Sequence, residues 1–93
     1  MNNWIGEIGQ KLKLNLELIE TIKSFDLFQN PNYKLTFKDS NEDIIIVKGN
    51  SKSIDKILES KDKNFIIEGI IKNHIEWGDN RETYFEKIKV FSI

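Results

Sequence analysis

The sequence predicts an all-β fold, a barrel of five strands with one short helix between the third and fourth. Apolar and polar residues alternate in several segments of the 93-residue chain, the pattern of half-buried strands. Residues 53–59 instead repeat their apolar side chains at helical spacing. No linker or repeat divides the series, so residues 1–93 are predicted to form a single domain.

The first predicted strand begins at Lys11 and carries a leucine at every second position up to Leu18. The alternation then slips, because Ile19 follows directly and the apolar phase resumes at Ile22 and Phe25. A helix could absorb this second half. We favour one long strand with a bulge near Leu18 and Ile19, because a phase change suits a strand that passes between two sheet layers.

The remaining segments are shorter and are separated by residues typical of turns. They are a loop at Asp26–Asn32, strands at Tyr33–Lys38 and Asp43–Lys48, a helix at Ser53–Glu59 with Ser53 as its cap, and strands at Asn64–Lys72 and Glu82–Val90. The stretch between the last two strands is predicted to be a polar loop. Five strands with a helix after the third are the arrangement of the OB-fold, a Greek-key barrel. An SH3-like barrel is the alternative, but it has neither this helix nor so long a first strand.

Composition limits the possible functions. The formal net charge is −1, so the chain lacks the overall positive field that drives strong non-specific DNA binding. There is no cysteine, and the one histidine, His74, has no set of partners for a metal or a catalytic site. We therefore expect a non-catalytic protein without metal, cofactor or small-molecule substrate. The lack of a leader or an apolar span predicts no membrane association and a cytoplasmic location.

Three motifs in order carry a family resemblance. An aromatic-x-Gly-Glu-x-Gly element stands at Trp4–Gly9, a Leu-x-Phe-x-Asp hairpin at Leu35–Asp43, and a Gly-x-x-Lys-x-His-x-Glu-aromatic-Gly segment at Gly69–Gly78. In these the chain resembles small OB-fold modules of phage and mobile-element proteins that are associated with DNA replication and single-stranded DNA. It is also similar to the small companion proteins that resistance-cassette elements encode beside a primase-polymerase.

The resemblance implies an accessory protein of mobile-element DNA replication. It would bind single-stranded DNA, weakly when alone, or serve as a small subunit of a primase-polymerase or helicase. The chain departs from the family pattern in three places. Two acidic residues enter the segment Arg81–Lys87, the hairpin glycine is missing, and a Trp-Lys pair is reduced to Val47–Lys48. These departures argue against strong DNA binding.

An OB-fold holds a single strand by pairing cations with phosphates and stacking aromatic rings on bases, usually across strands 2 and 3 and the adjoining loops. The candidate residues lie on those predicted elements: Tyr33, Lys34, Lys38, Lys48, Lys72, His74, Trp77 and Arg81. Trp77 is either a stacking ring or a lid over the barrel end. Lys34 and Lys38 could equally be an ordinary solvated strand face. The hypothesis requires Trp77 and the neighbouring cations to lie on one side of the barrel.

The alternative hypothesis is a protein-interaction module that docks on a replication enzyme without touching DNA. Its basis is the near-zero net charge together with apolar residues that so small a barrel has little room to bury. These residues are Leu27, Phe28, Phe91 and Ile93.

Overall fold

A computed structural model describes residues 3–91 and shows a closed barrel with the strand order β1-β2-β3-β5-β4. The elements are β1 (Lys11–Phe25), β2 (Pro31–Lys38), β3 (Ile44–Gly49), α1 (Lys52–Glu59), β4 (Asn64–Trp77) and β5 (Asn80–Phe91). All neighbouring strands are antiparallel except β3 and β5, which are parallel and close the barrel. The predicted all-β, OB-fold-like barrel with a helix between strands 3 and 4 is confirmed.

β1 pairs with a different strand in each half of its length. Residues 11–17 pair with β4, and residues 17–25 pair with β2. The register with β2 shifts between Leu18 and Glu20, which leaves Ile19 as an extra residue. Such a bulge bends a strand and increases its twist. The predicted long first strand with a bulge at this point is confirmed.

The core consists of the inward side chains of the strands. Leu35 and Phe37 on β2 face Val47 and Ile45 on β3, and all four are buried. The ring of Phe65 meets Phe37 edge-on, with 6.4 Å between the centroids. Each large side chain buried in this way contributes about 1.5–3 kcal/mol.

The helix closes one end of the barrel with Ile54 and Ile57, which are buried. Its cap is Ser51, whose side chain accepts a hydrogen bond from the Ile54 amide at 3.4 Å. The prediction of Ser53 as the cap is wrong by two residues. The Ser53 hydroxyl instead donates to the carbonyl of Ile88 in β5 at 3.0 Å, which ties the helix to the barrel.

The β4–β5 hairpin is longer than predicted. β4 continues to Trp77 and β5 begins at Asn80, so only Gly78 and Asp79 form the turn. Gly78 has a φ of 55°, which glycine adopts at little cost and which two-residue hairpins need. The expected polar loop is therefore mostly strand, and His74 lies within β4.

The segment 3–9 closes the other end of the barrel. The Ile5 amide donates to the Thr83 hydroxyl at 2.9 Å, and the Gly9 amide donates to the Ile71 carbonyl at 2.7 Å. The Asn3 amide donates to the Asp43 carboxylate at 2.8 Å. These bonds join the segment to three strands or turns far away in sequence.

The helix α1 has eight residues, and no helix within residues 3–91 is long and apolar enough to cross a membrane.

Candidate nucleic-acid interface

The outer face of β2, β3 and β5 carries two lysines side by side. Lys34 of β2 lies directly opposite Lys48 of β3, and Ile22 of β1 continues the row. Directly opposed like charges destabilise a sheet. Among residues 3–91 neither lysine forms an ion pair with a carboxylate. The pair therefore concentrates positive charge on a chain whose net charge is negative.

An aromatic ring adjoins this lysine pair. The Lys48 ammonium lies 5.3 Å from the centroid of the Tyr84 ring on β5, within cation–π range. Ile46 occupies the row between Thr36 and Tyr84 and is 0% exposed, although it alternates with the core residues Ile45 and Val47. Neighbouring side chains on the outer face therefore cover the apolar side chain of Ile46.

Burial is the main cause of a raised pKa for the Tyr84 hydroxyl, and the negative charge of Glu82 adds to it. The hydroxyl also donates to the Glu82 carboxylate at 3.5 Å. Tyr84 therefore stays a neutral phenol across the ordinary pH range.

Trp77 extends this face toward the hairpin tip. It pairs with Asn80, and Asn80, Glu82 and Tyr84 alternate onto the same side of β5. The Trp77 side chain is 66% exposed. Tyr84 is four residues beyond Asn80 on β5, so Trp77 lies about 13 Å along the strand from Tyr84. The lid interpretation does not fit so exposed a ring.

His74 and Arg81 lie on the opposite face of the hairpin, where they hold Trp4. The Trp4 and His74 rings stack with centroids 5.3 Å apart, and the Arg81 guanidinium carbon lies 4.8 Å from the Trp4 centroid. The Trp4 indole N–H donates to the Ile75 carbonyl at 3.1 Å. The expectation that Trp77 shares one surface with its neighbouring cations is therefore wrong for His74 and Arg81. Trp4 therefore has a structural role, since its ring and its indole N–H are both held by the hairpin.

The other candidates have mixed positions. Lys38 shares the outer face with Lys34, but its ammonium lies 3.7 Å from Glu17 and 3.8 Å from Glu42, which offset its charge. Lys72 is exposed at a bulge, where the β4–β5 register shifts between Ile71 and Asn73. Tyr33 packs against the core, so it is poorly placed for stacking.

The structure adds Tyr84 to the candidates. The alternation in strand 5 would have found it, since Thr83 and Phe85 are buried on one side and Tyr84 must then point to the other.

The apolar residues of the alternative hypothesis separate into two groups. Leu27 and Phe28, at the tip of the β1–β2 hairpin, are 95% and 84% exposed. Phe91 is half-buried under the Lys13 ammonium, 4.0 Å from its ring centroid. Ile93 lies outside the described residues.

Searches among protein families, curated proteins and solved structures found no match to this chain.

Proposed function

We propose that this chain is a non-catalytic module that binds single-stranded DNA across the outer face of β2, β3 and β5. The observation that carries the proposal is the pairing of Lys34 with Lys48 beside Tyr84, with no carboxylate partner for either lysine among residues 3–91. A phosphate placed between the two ammonium groups would remove their repulsion. The family resemblance supports a role in mobile-element DNA replication.

The proposed interface makes two kinds of contact with DNA, one with the phosphates and one with the bases. Lys34 and Lys48 neutralise phosphates, while the exposed Trp77 ring and the Tyr84 ring stack on bases. Stacking contributes about 1–3 kcal/mol per base. With a net charge of −1 the chain gains no long-range attraction, so we expect a Kd of about 10⁻⁵ M at low salt.

A fluorescence anisotropy titration with labelled oligothymidine tests the proposal. Because two lysines meet phosphates, the logarithm of the affinity should fall with the logarithm of salt concentration with a slope of about −1.4. The double variant Lys34→Ala, Lys48→Ala should lose at least tenfold in affinity. Lys61→Ala is the matched control, because Lys61 is exposed in the loop after the helix. Equal binding by the double variant and the control would refute the proposal.

A second candidate function, docking on a replication enzyme, is supported by the tip of the β1–β2 hairpin. The Asp26 carboxylate accepts hydrogen bonds from the backbone amides of Phe28 and Asn30 at 2.8 and 2.9 Å. The bond from the Asn30 amide is the main reason that the pKa of Asp26 lies below its ordinary value of 3.8. The turn is thus fixed internally while it presents Leu27 and Phe28 to solvent, and a preorganised apolar pair loses little entropy on binding.

Co-expression with a primase-polymerase or helicase encoded by a neighbouring gene tests this second function. The pair Leu27→Ser, Phe28→Ser should abolish co-purification, and Ile8→Ser, an exposed apolar position elsewhere, should not. Co-purification that survives the loss of both tip side chains would exclude this tip as the docking site.

A further inference from the structure

Within the described residues, one side of the second half of β1 has no strand partner. Residues 17–25 pair with β2 on one side, while pairing with β4 on the other side ends at Glu17. The Leu18 amide still donates to the Lys63 carbonyl at 2.7 Å, which closes that side as far as residue 18. From Ile19 to Phe25 no backbone partner lies on this side within residues 3–91. An exposed strand edge of this kind is a template for another strand.

We propose that a second copy of this chain pairs antiparallel with this edge, with Ile22 opposite Ile22 of the second copy. The geometry of the edge selects this register. The free stretch runs from residue 19 to residue 25, and its midpoint is Ile22. A two-fold axis at Ile22 lets each copy use the whole free edge before Lys63 ends it.

The side chains select the same register. Residues that lie directly opposite each other in an antiparallel pair point to the same face of the sheet. A two-fold axis between two copies of β1 must therefore lie midway between two copies of the same residue. With the axis at Ile22, isoleucine meets isoleucine, Glu20 meets Ser24 and Thr21 meets Lys23. No like charges are opposed. An axis at Thr21 would place Glu20 against the apolar Ile22 instead.

The edge strand exposes apolar side chains, and this favours its pairing with a second copy of the chain. Ile22 is 46% exposed, and Phe25 and Ile19 are exposed to a similar extent. Natural edge strands are usually protected by charges, prolines or short length. This edge has seven residues with no proline, and only Glu20 and Lys23 are charged. Pairing two copies would cover the three apolar side chains on both.

The area buried between the two copies limits the affinity of the dimer. Seven residue pairs bury less than the roughly 1,200 Å² of a standard interface, so the dimer should be reversible. Sedimentation equilibrium from about 10 µM to about 1 mM covers the affinity expected of so small an interface. We expect the weight-average mass to rise from one chain toward two across this range. A constant monomer mass up to the highest concentration would overturn the proposal. The partner of the edge would then be an extended segment of another protein.

Two lysine substitutions show whether this edge is responsible. Ile22→Lys places two ammonium groups opposite each other at the axis and should keep the protein monomeric at every concentration. Ile8→Lys, at an exposed position outside β1, should dimerise like the parent chain. Both positions are exposed, so circular dichroism should show an unchanged fold. Dimerisation by the Ile22→Lys protein would overturn the proposal.

The absence of native cysteine gives a direct test of the register. Ile22→Cys should form a disulfide-linked dimer on mild oxidation, because directly opposed residues lie within the reach of about 7 Å between Cα atoms. Ser24→Cys is the control on the same face, where the two sulfurs would be about 13 Å apart along the strands. Equal cross-linking of the two variants would overturn this register.

The dimer would also extend the candidate interface, a consequence that depends on the proposed function. The row Ile22, Lys34 and Lys48 would continue into the same row of the second copy. Five strand spacings then separate the two Lys48 positions, about 24 Å in all. Because the sedimentation and cross-linking experiments contain no DNA, their failure is distinguishable from failure of DNA binding.

Discussion

Lys34 and Lys48 face each other across β2 and β3, and neither forms an ion pair with a carboxylate in the described part of the chain. A strand pair selected only for stability would place an acid at one of these positions. Local conflicts of this kind are expected where a surface serves a function.

Lys34→Glu should therefore stabilise the barrel while it weakens DNA binding. A carboxylate opposite Lys48 changes a repulsive cross-strand pair into an attractive one, which raises the free energy of unfolding by about 0.2–1 kcal/mol. Urea unfolding measures the change, and Lys61→Glu serves as the control for net charge. A destabilised Lys34→Glu protein would show that the two ammonium groups do not repel each other appreciably.

The two tryptophans should behave in opposite ways. Trp4→Ala removes the stack on His74, the contact with Arg81 and the hydrogen bond to Ile75, so we expect a loss of about 2 kcal/mol of stability. Trp77→Ala removes an exposed ring and should change stability by less than about 0.5 kcal/mol. Equilibrium unfolding of both variants tests the assignment. Similar losses from both would contradict the division into a structural ring and a surface ring.

Gly69 is fixed by its neighbours, because a Cβ atom there would lie 2.6 Å from Cδ2 of Phe85. Gly69→Ala should destabilise the barrel by about 1–3 kcal/mol through overpacking. Adding Phe85→Leu should recover part of that loss, since the smaller side chain makes room. A double-mutant cycle measures the coupling. Additive effects would mean that Phe85 is not the obstacle.

Tyr84 should titrate above the ordinary tyrosine value of 10.0, because burial and then Glu82 both raise its pKa. The raised pKa means that stability is present below pH 10 and is lost as the pH rises through the folded-state value. Near-ultraviolet absorbance of tyrosinate follows the transition, and Tyr84→Phe assigns it. Glu82→Gln should lower the pKa of Tyr84 only in part, because burial remains. An ordinary pKa in the parent protein would contradict the burial of the Tyr84 hydroxyl beside Glu82.

The sequence allowed much of the fold to be predicted because β-strands have a period of two. The leucines from Leu12 to Leu18 mark the first strand, and the adjacent Ile19 marks its bulge. The helix cap was predicted two residues too late because Ser51 and Ser53 are both good capping residues, and only the hydrogen bond from the Ser53 hydroxyl to the Ile88 carbonyl distinguishes them.

The candidate interface was harder to predict, because the face of a side chain depends on whether its residue lies in a strand. A loop at residues 73–81 would let Trp77 and Arg81 point the same way. In the observed hairpin they lie on opposite faces, since Arg81 is one residue beyond the partner of Trp77. The alternation in strand 5 places Tyr84 on the outer face, but its role depends on its distance from Lys48 on another strand, which the sequence does not give.

Amide and indole NMR shifts on titration with oligothymidine show which face of the barrel binds DNA. We expect the Trp77 indole signal and the amide signals of Lys34, Lys48 and Tyr84 to shift together, while the Trp4 indole signal does not shift. Shifts confined to Trp4 and the strand face that holds it, or no shifts at all, would contradict the proposed interface.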